Sequence, residues 1–432
     1  MSQEHTIHPQ EKLTATSTAS KVKGAAGLVG VVLLVAAFVW GIILGDDLRR
    51  FLHSYLISYT FFLSMAIGAL FFVVLQHLVN AHWSITLRRT AEVITRSFPL
   101  LLVLSLFILI PLWAGNESLY LWSDHDLAHS DHLIHHKGAY FNPQFFSLRV
   151  LAYLIIFTLI SNFYYKRSVM QDEDGDPKHS DKMKARAPFS MIVFAFTCAF
   201  TGFDLLMSTD PRWFSTMYGV YFFAGCAISI MALLVIVPLL LQRSGSIKNS
   251  ITVEHYHDVG KLLFAFVFFW GYVAFSQFML IWAANIPEET TYYWPRWFLP
   301  EGFVIPMFKQ WKTLSLALIV GHFAIPFLIL MSRHTKRKLQ ALAAFSVWML
   351  VWHWIDLYWQ VMPSYGFQDV PGDGVVEAVR TTWEVVFHPI DLMIVVGIGC
   401  LFISVVASAL TKVNLIPIKD PKLSKSLGFE NY

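Results

Sequence analysis

In the stretch SDHDLAHSDHLIHHKGAYFN, residues 123–142, His125, His129, His132, His135 and His136 stand among Asp124, Asp126 and Asp131. Imidazole and carboxylate are zinc ligands, and histidine is also the side chain whose charge changes near a pH of about 6.5. On one continuous helix His125, His129, His132 and His136, at steps of four, three and four, share a face. The spacing offers metal ligation or proton exchange, and the choice depends on where the chain places the stretch.

A second set of reactive groups lies inside apolar sequence. Asp204 occurs in TGFDLLMSTD, His353 and Asp356 in VWHWIDLYWQ, and Gln277, His322 and the pair Arg149 and Tyr153 in similar surroundings. His353 and Asp356 are three apart and share one helix face. A carboxylate beside an imidazole passes a proton or holds a hydroxyl group. The alternative is structural, an interhelical hydrogen bond or a salt bridge to Arg149, and Asp204 carries the same two readings. His388 and Asp391, at the start of an apolar block, are expected to be solvated at the interface. His77, with His82, His255, His257, Asp258 and Lys261, reads either as the mouth of a proton path or as a wet cluster at helix ends.

The elements that hold these groups follow from composition. Of 432 residues, 56% are apolar, 14% are charged and 37 are phenylalanine, far from the roughly one-quarter charge of soluble domains. The apolar residues gather into ten blocks, at 25–45, 57–79, 98–114, 145–165, 188–208, 217–241, 259–286, 313–332, 339–362 and 387–410. Each is about the length that crosses a bilayer, and a backbone in lipid must hydrogen-bond to itself, so each is expected to be a helix. The first block has no small-residue cleavage site and is expected to remain as a helix. The expectation is an all-α membrane protein: a cytoplasmic tail 1–24, a ten-helix domain 25–410 with outer loops 115–144 and 287–312, and a cytoplasmic tail 411–432.

Charge sets the orientation. The tails and alternate loops on one side hold 22 of the 32 Lys and Arg residues, and the opposite loops hold eight. The positive-inside rule then puts both termini in the cytoplasm and the histidine-rich stretch outside. The loop NIPEETTYYWPRWFLPEGFVIPMFKQW, also outside, has the Trp and Tyr content of the headgroup region.

Cofactor signals are few. Cys198, Cys226 and Cys400 all fall in predicted helices, with no CxxC and no CxxCH, so neither an iron–sulfur cluster nor covalent haem is expected here. A b-type haem needs two histidines at matching depth, and His77, His322 and His353 are placed at different depths. No GxxxxGK[ST] and no GxGxxG occurs, which argues against a nucleotide-driven pump.

Four long segments carry a resemblance: ALFFVVLQHLVNAHWSITLRRTAE, FDLLMSTDPRWFSTMYGVYFFAG, HDVGKLLFAFVFFWGYVAFSQFMLIWAANIPEETTYYWPRW and WIDLYWQVMP. They resemble the second large ten-helix membrane subunit of bacterial alternative complex III, within the wider NrfD/polysulfide-reductase-like family. The resemblance implies two four-helix bundles, helices 2–5 and 6–9, with helices 1 and 10 peripheral. The second and sixth helices both begin with a Tyr–Phe-rich turn and end in Leu–Gln, which hints at a parallel repeat. It also implies a multi-pass subunit of a quinol:cytochrome c oxidoreductase in the bacterial inner membrane, serving as scaffold, proton path or quinol contact. Partners are then a second ten-helix subunit, a multihaem cytochrome c, an iron–sulfur protein, lipid and a terminal oxidase as a candidate acceptor, with no nucleic acid. The c-type haems and iron–sulfur clusters belong to those partners.

On this reading the candidates for a proton path or quinol contact are Asp204, His353, Asp356, Arg149, Tyr153, Gln277, His322 and His77. The histidine-rich stretch becomes an interfacial docking segment, with no metal expected. A stand-alone proton-coupled secondary transporter is the rival, since ten helices and ionisable groups at membrane depth suit it too. Against it, Pro238 and Pro326 lie near helix ends, and no matching pair of broken helices is seen.

Overall fold

The computed structural model describes residues 6–8, 11–15, 17–298, 305–371, 376–380 and 384–430. Among these residues ten helices are long and apolar enough to cross a membrane, and the chain is a multi-pass integral membrane protein. They are α1 Ala19–Leu44, α2 Arg49–Leu78, α3 Ile85–Trp113, α4 Pro143–Asp174, α5 Lys178–Thr209, α6 Met217–Arg243, α7 Val253–Ala284, α8 Trp311–Met331, α9 Leu339–Tyr365 and α10 Pro389–Leu410. Several run past their apolar blocks because polar residues continue the backbone ladder beyond hydrocarbon. The extensions are capped: the Asn142 side chain accepts from Phe145 N ahead of Pro143, and Gly175, with φ of 74°, ends α4.

Packing centres on α2, whose apolar stretch is buried throughout, with α3, α4, α5, α6, α9 and α10 around it. Close approach depends on glycine. At Gly68 a methyl group would run into the Cys226 carbonyl of α6, and at Gly225 into the His353 ring of α9. The outermost helix, α1, packs chiefly along α10, where Gly30 lies against the carbonyl of Gly397. In α8, residues Ile319–Ala324 form a π-turn just before Pro326. Proline at 326 cannot donate to the carbonyl of His322, and the widened turn absorbs the misfit. Pro326 lies near the helix end as expected, and the π-turn ahead of it carries His322.

At one end of the bundle the termini are docked rather than loose where described. Leu415 N donates to Leu13 O at 2.7 Å and Ile247 N to Lys12 O at 3.0 Å. Ser426 Oγ donates to Trp83 O at 2.8 Å, while Arg88 pairs with Asp420 and Arg89 with Asp172. At the other end lie short helices, His125–Ser130 and His132–His136, and an antiparallel hairpin, β1 Phe367–Pro371 with β2 Val376–Arg380. Strand β2 lies against the helix His125–Ser130.

The single histidine face is not formed. Asp131 has extended backbone, and its side chain accepts from Leu133 N and Ile134 N, so it ends one helix and caps the next. The cap redirects the chain, leaving His125 and His129 on one short helix and His132 and His136 on the other.

Candidate functional site

The sequence candidates separate into two polar centres and one outlier. The first centre is Asp204, near the end of α5 and fully buried. Arg149 of α4 donates to it through Nε at 2.8 Å and Nη2 at 3.1 Å. Tyr153 Oη and Tyr140 Oη each donate at 2.8 Å, and the Arg149 guanidinium lies 3.7 Å over the Tyr140 ring. Each carboxylate oxygen has two donors, so the charge is matched and the acceptor sites are occupied. Arg149 is spent here and does not reach His353 or Asp356.

The second centre is Asp356, buried on α9. It accepts from Tyr221 Oη of α6, from Trp270 Nε1 of α7 at 3.2 Å and from Gln360 Nε2 at 3.2 Å. Gln360 accepts in turn from Tyr218 Oη at 2.8 Å. No cation is among these hydrogen-bond donors, in contrast with Asp204. Three neutral donors satisfy the carboxyl group without neutralising it, the arrangement expected of a group that exchanges a proton.

Two histidines adjoin this centre. The His322 ring lies 4.1 Å from Trp270, and neither of its ring nitrogens has a hydrogen-bond partner among the described residues. His353 Nε2 is 2.8 Å from Ser64 Oγ of α2. The His322 and His353 rings are 6.5 Å apart, so the expectation of different depths is overturned. Helix α8 begins at Trp311 and α9 runs on to Tyr365, which puts both histidines at a similar distance from the same end.

Beside Asp356 a cavity of about 510 Å³ opens between α7 and α8. Tyr218, Tyr221 and Trp270 line it, so the groups that hold Asp356 and Gln360 also face the cavity. Gln277 lines it too, donating to Tyr293 Oη at 3.1 Å and accepting from Ser215 Oγ at 3.3 Å. An aromatic slot with a few convergent polar groups suits a flat ring bearing hydrogen-bonding substituents. A larger groove, about 1110 Å³, runs beside α10, but it is nearly all aliphatic and aromatic and suits lipid chains. Its Asp391 is already held by Arg50 and Ser54.

That pair corrects a sequence expectation. Asp391 is buried rather than solvated, because α2 brings Arg50 to it and its side chain also caps its own helix through His388 N at 2.9 Å. His77 is the outlier, at the opposite end of α2 and stacked on Tyr164 with centroids 5.3 Å apart.

Sequence reasoning missed Tyr218, Tyr221, Trp270, Gln360 and Arg296. Gln360 carried a signal, four residues after Asp356 on the same helix. Arg296 had none: its loop folds back so that the guanidinium donates to Gln360 O at 3.0 Å and stacks 3.7 Å over Tyr292. Tyr292 in turn stacks on Trp213 at 3.9 Å, so part of the aromatic loop roofs the cavity.

This geometry defines a multi-pass membrane protein with a buried, uncompensated carboxyl group beside an aromatic cavity. Comparison with protein-family models and with curated proteins gives no match.

Proposed function

We propose that this chain is a membrane subunit of a bacterial respiratory complex that oxidises quinol and delivers electrons to a cytochrome c or an oxidase. It holds no redox cofactor itself, lies in the inner membrane with both termini cytoplasmic, and contacts quinol or its protons at the Asp356 cavity. Helices α2–α5 and α6–α9 are read as two four-helix bundles, with α1 and α10 peripheral. Haems and iron–sulfur clusters reside in partner chains.

The observation that carries this reading is Asp356, buried and held by Gln360 and by Tyr221 and Trp270, the last two of which line an aromatic cavity. The residues that hold Asp356 also fall within the segments that resemble the ten-helix subunit of alternative complex III. FDLLMSTDPRWFSTMYGVYFFAG contains Tyr218 and Tyr221, HDVGK…YYWPRW contains Trp270, Gln277 and Arg296, and WIDLYWQVMP contains Asp356 and Gln360. Quinol oxidation releases electrons and protons together. At this site Tyr221, which lines the cavity, takes a proton from a ring hydroxyl as it passes its own to Asp356, and His322 and His353 are the next titratable groups.

The test begins with a mild-detergent pull-down through a tag on the C-terminal segment, reading the reduced-minus-oxidised spectrum and the accompanying chains. A c-type haem spectrum with an iron–sulfur partner and a second ten-helix protein is expected. A colourless protein emerging alone overturns the respiratory reading in favour of the transporter. In the complex, Asp356→Asn keeps an acceptor for Tyr221 but removes the titratable group. Quinol oxidation or its proton release is expected to fall by about 10²–10⁴-fold, the usual worth of a positioned acid–base group. Unchanged values for both remove Asp356 from the mechanism.

A further inference from the structure

The histidine-rich segment is not used by the proposed function, and its geometry bears on the question its sequence raises. His125 and His129 sit four residues apart on the helix His125–Ser130, with ring centroids 4.5 Å apart. Two imidazoles on one tetrahedral ion at a Zn–N distance of 2.0–2.1 Å have centroids roughly 5 Å apart. His132 and His136 on the second helix meet the same spacing at 5.2 Å, and the first pair is distinguished by a third imidazole, His135, whose centroid is 5.6 Å from that of His129.

The scaffold beneath the pair is ordered by the sequence. The Asp124 side chain caps the first helix through Leu127 N at 2.8 Å. Leu127 and Ile134 are buried, one from each short helix, while all five histidine side chains are exposed. Asp131 is tied to Arg212 at 2.7 Å. The imidazoles therefore project from a fixed base into water, where a cation reaches them without opening the fold.

The surroundings are negative. His125 Nδ1 lies 3.9 Å from Asp126 Oδ1. Glu117 accepts from the His125 backbone and interacts with Asp124 and Asp126, so three carboxyl groups crowd this corner of the segment. Such a field attracts a cation.

We propose that His125 and His129 form a binding site for a divalent transition-metal cation of the zinc type on the outer surface. As the side chains stand, no group of three or more His, Cys, Asp or Glu residues among those described is arranged to hold a metal. The site is accordingly a two-imidazole chelate completed by water, with His135 as a third ligand that needs a rotamer change. The same segment continues to Lys137, which donates to Pro211 O, and to Tyr140, which donates to Asp204. This inference is independent of the respiratory reading.

The test uses the full chain in detergent, purified through a tag free of histidine, with Zn²⁺ titrated against a chromogenic chelator. One Zn²⁺ per chain is expected, and the His125→Ala/His129→Ala variant, which lacks both imidazole ligands, is expected to lose it. His132→Ala/His136→Ala, on the other short helix, should leave binding intact. All four side chains are exposed, and unchanged thermal unfolding of each variant shows that the fold is retained. Wild-type affinity in the first variant, loss of binding in the second instead, or binding only at millimolar Zn²⁺ overturns the site.

Discussion

Asp204 and Asp356 are both fully buried aspartates on membrane helices, yet their partners give them different work. Asp204 has a guanidinium and two phenols, so removing its charge strands Arg149 in the interior. Breaking one side of a buried ion pair costs about 3–5 kcal/mol, whereas replacing both members with apolar groups of similar size is close to neutral. Asp204→Asn is therefore expected to destabilise the protein by that amount, and Arg149→Met with Asp204→Leu to recover most of it. Unfolding equilibria in mixed micelles measure this, and a loss below about 1 kcal/mol for the single variant contradicts the account. Asp356 has neutral partners only, so its asparagine variant is expected to fold normally and to report on chemistry.

At the scale of elements, the glycines of α2 and α6 decide how closely the central helices meet. Gly68 faces the Cys226 backbone, which cannot move aside as a side chain does, while Gly24 on α1 has nothing within 4 Å of where a methyl would sit. Gly68→Ala is expected to cost about 1–3 kcal/mol as overpacking. Gly24→Ala is expected to be neutral or to stabilise by about 0.5–1 kcal/mol, since alanine is the better helix former. Thermal unfolding midpoints of the two variants compare them, and equal midpoints would show that α2 and α6 are not held at glycine distance. The π-turn of α8 acts at the same scale. It carries His322, whose ring lies against Trp270 and 6.5 Å from that of His353.

For the whole molecule, the charge bias of the loops and the docking of both terminal segments at one end lead to a topology experiment. Ser130 lies beside the histidine pairs and Lys412 just past α10, both exposed. In spheroplasts, Ser130→Cys is expected to react with an impermeant maleimide, and Lys412→Cys only after permeabilisation. The native Cys198 and Cys226 are buried and give little background, and the partly exposed Cys400 is first replaced by serine. Labelling in the reverse order inverts the orientation, and with it the side on which the histidine segment and any partner dock.

Ten spans and their order were legible in the sequence because hydrocarbon imposes one requirement on every residue of a span, low polarity over a bilayer's thickness. Asp204, His353 and Asp356 were legible as misfits for the same reason. What each misfit touches was not, since partners such as Arg149 for Asp204 and Tyr221 for Asp356 come from other helices, 55 and 135 residues away in the chain. Spacing along one helix says nothing of which neighbour crosses it, and here that is set by glycine contacts at Gly68 and Gly225. The loops were least legible: one capping aspartate, Asp131, split the histidine face, and Arg296 folded a headgroup-like loop over the cavity. The sequence by itself determined a membrane protein and its unusual polar residues, through local polarity alone. Only the tertiary structure decided which of them are neutralised and which remain free to act, because that depends on side chains meeting across helices.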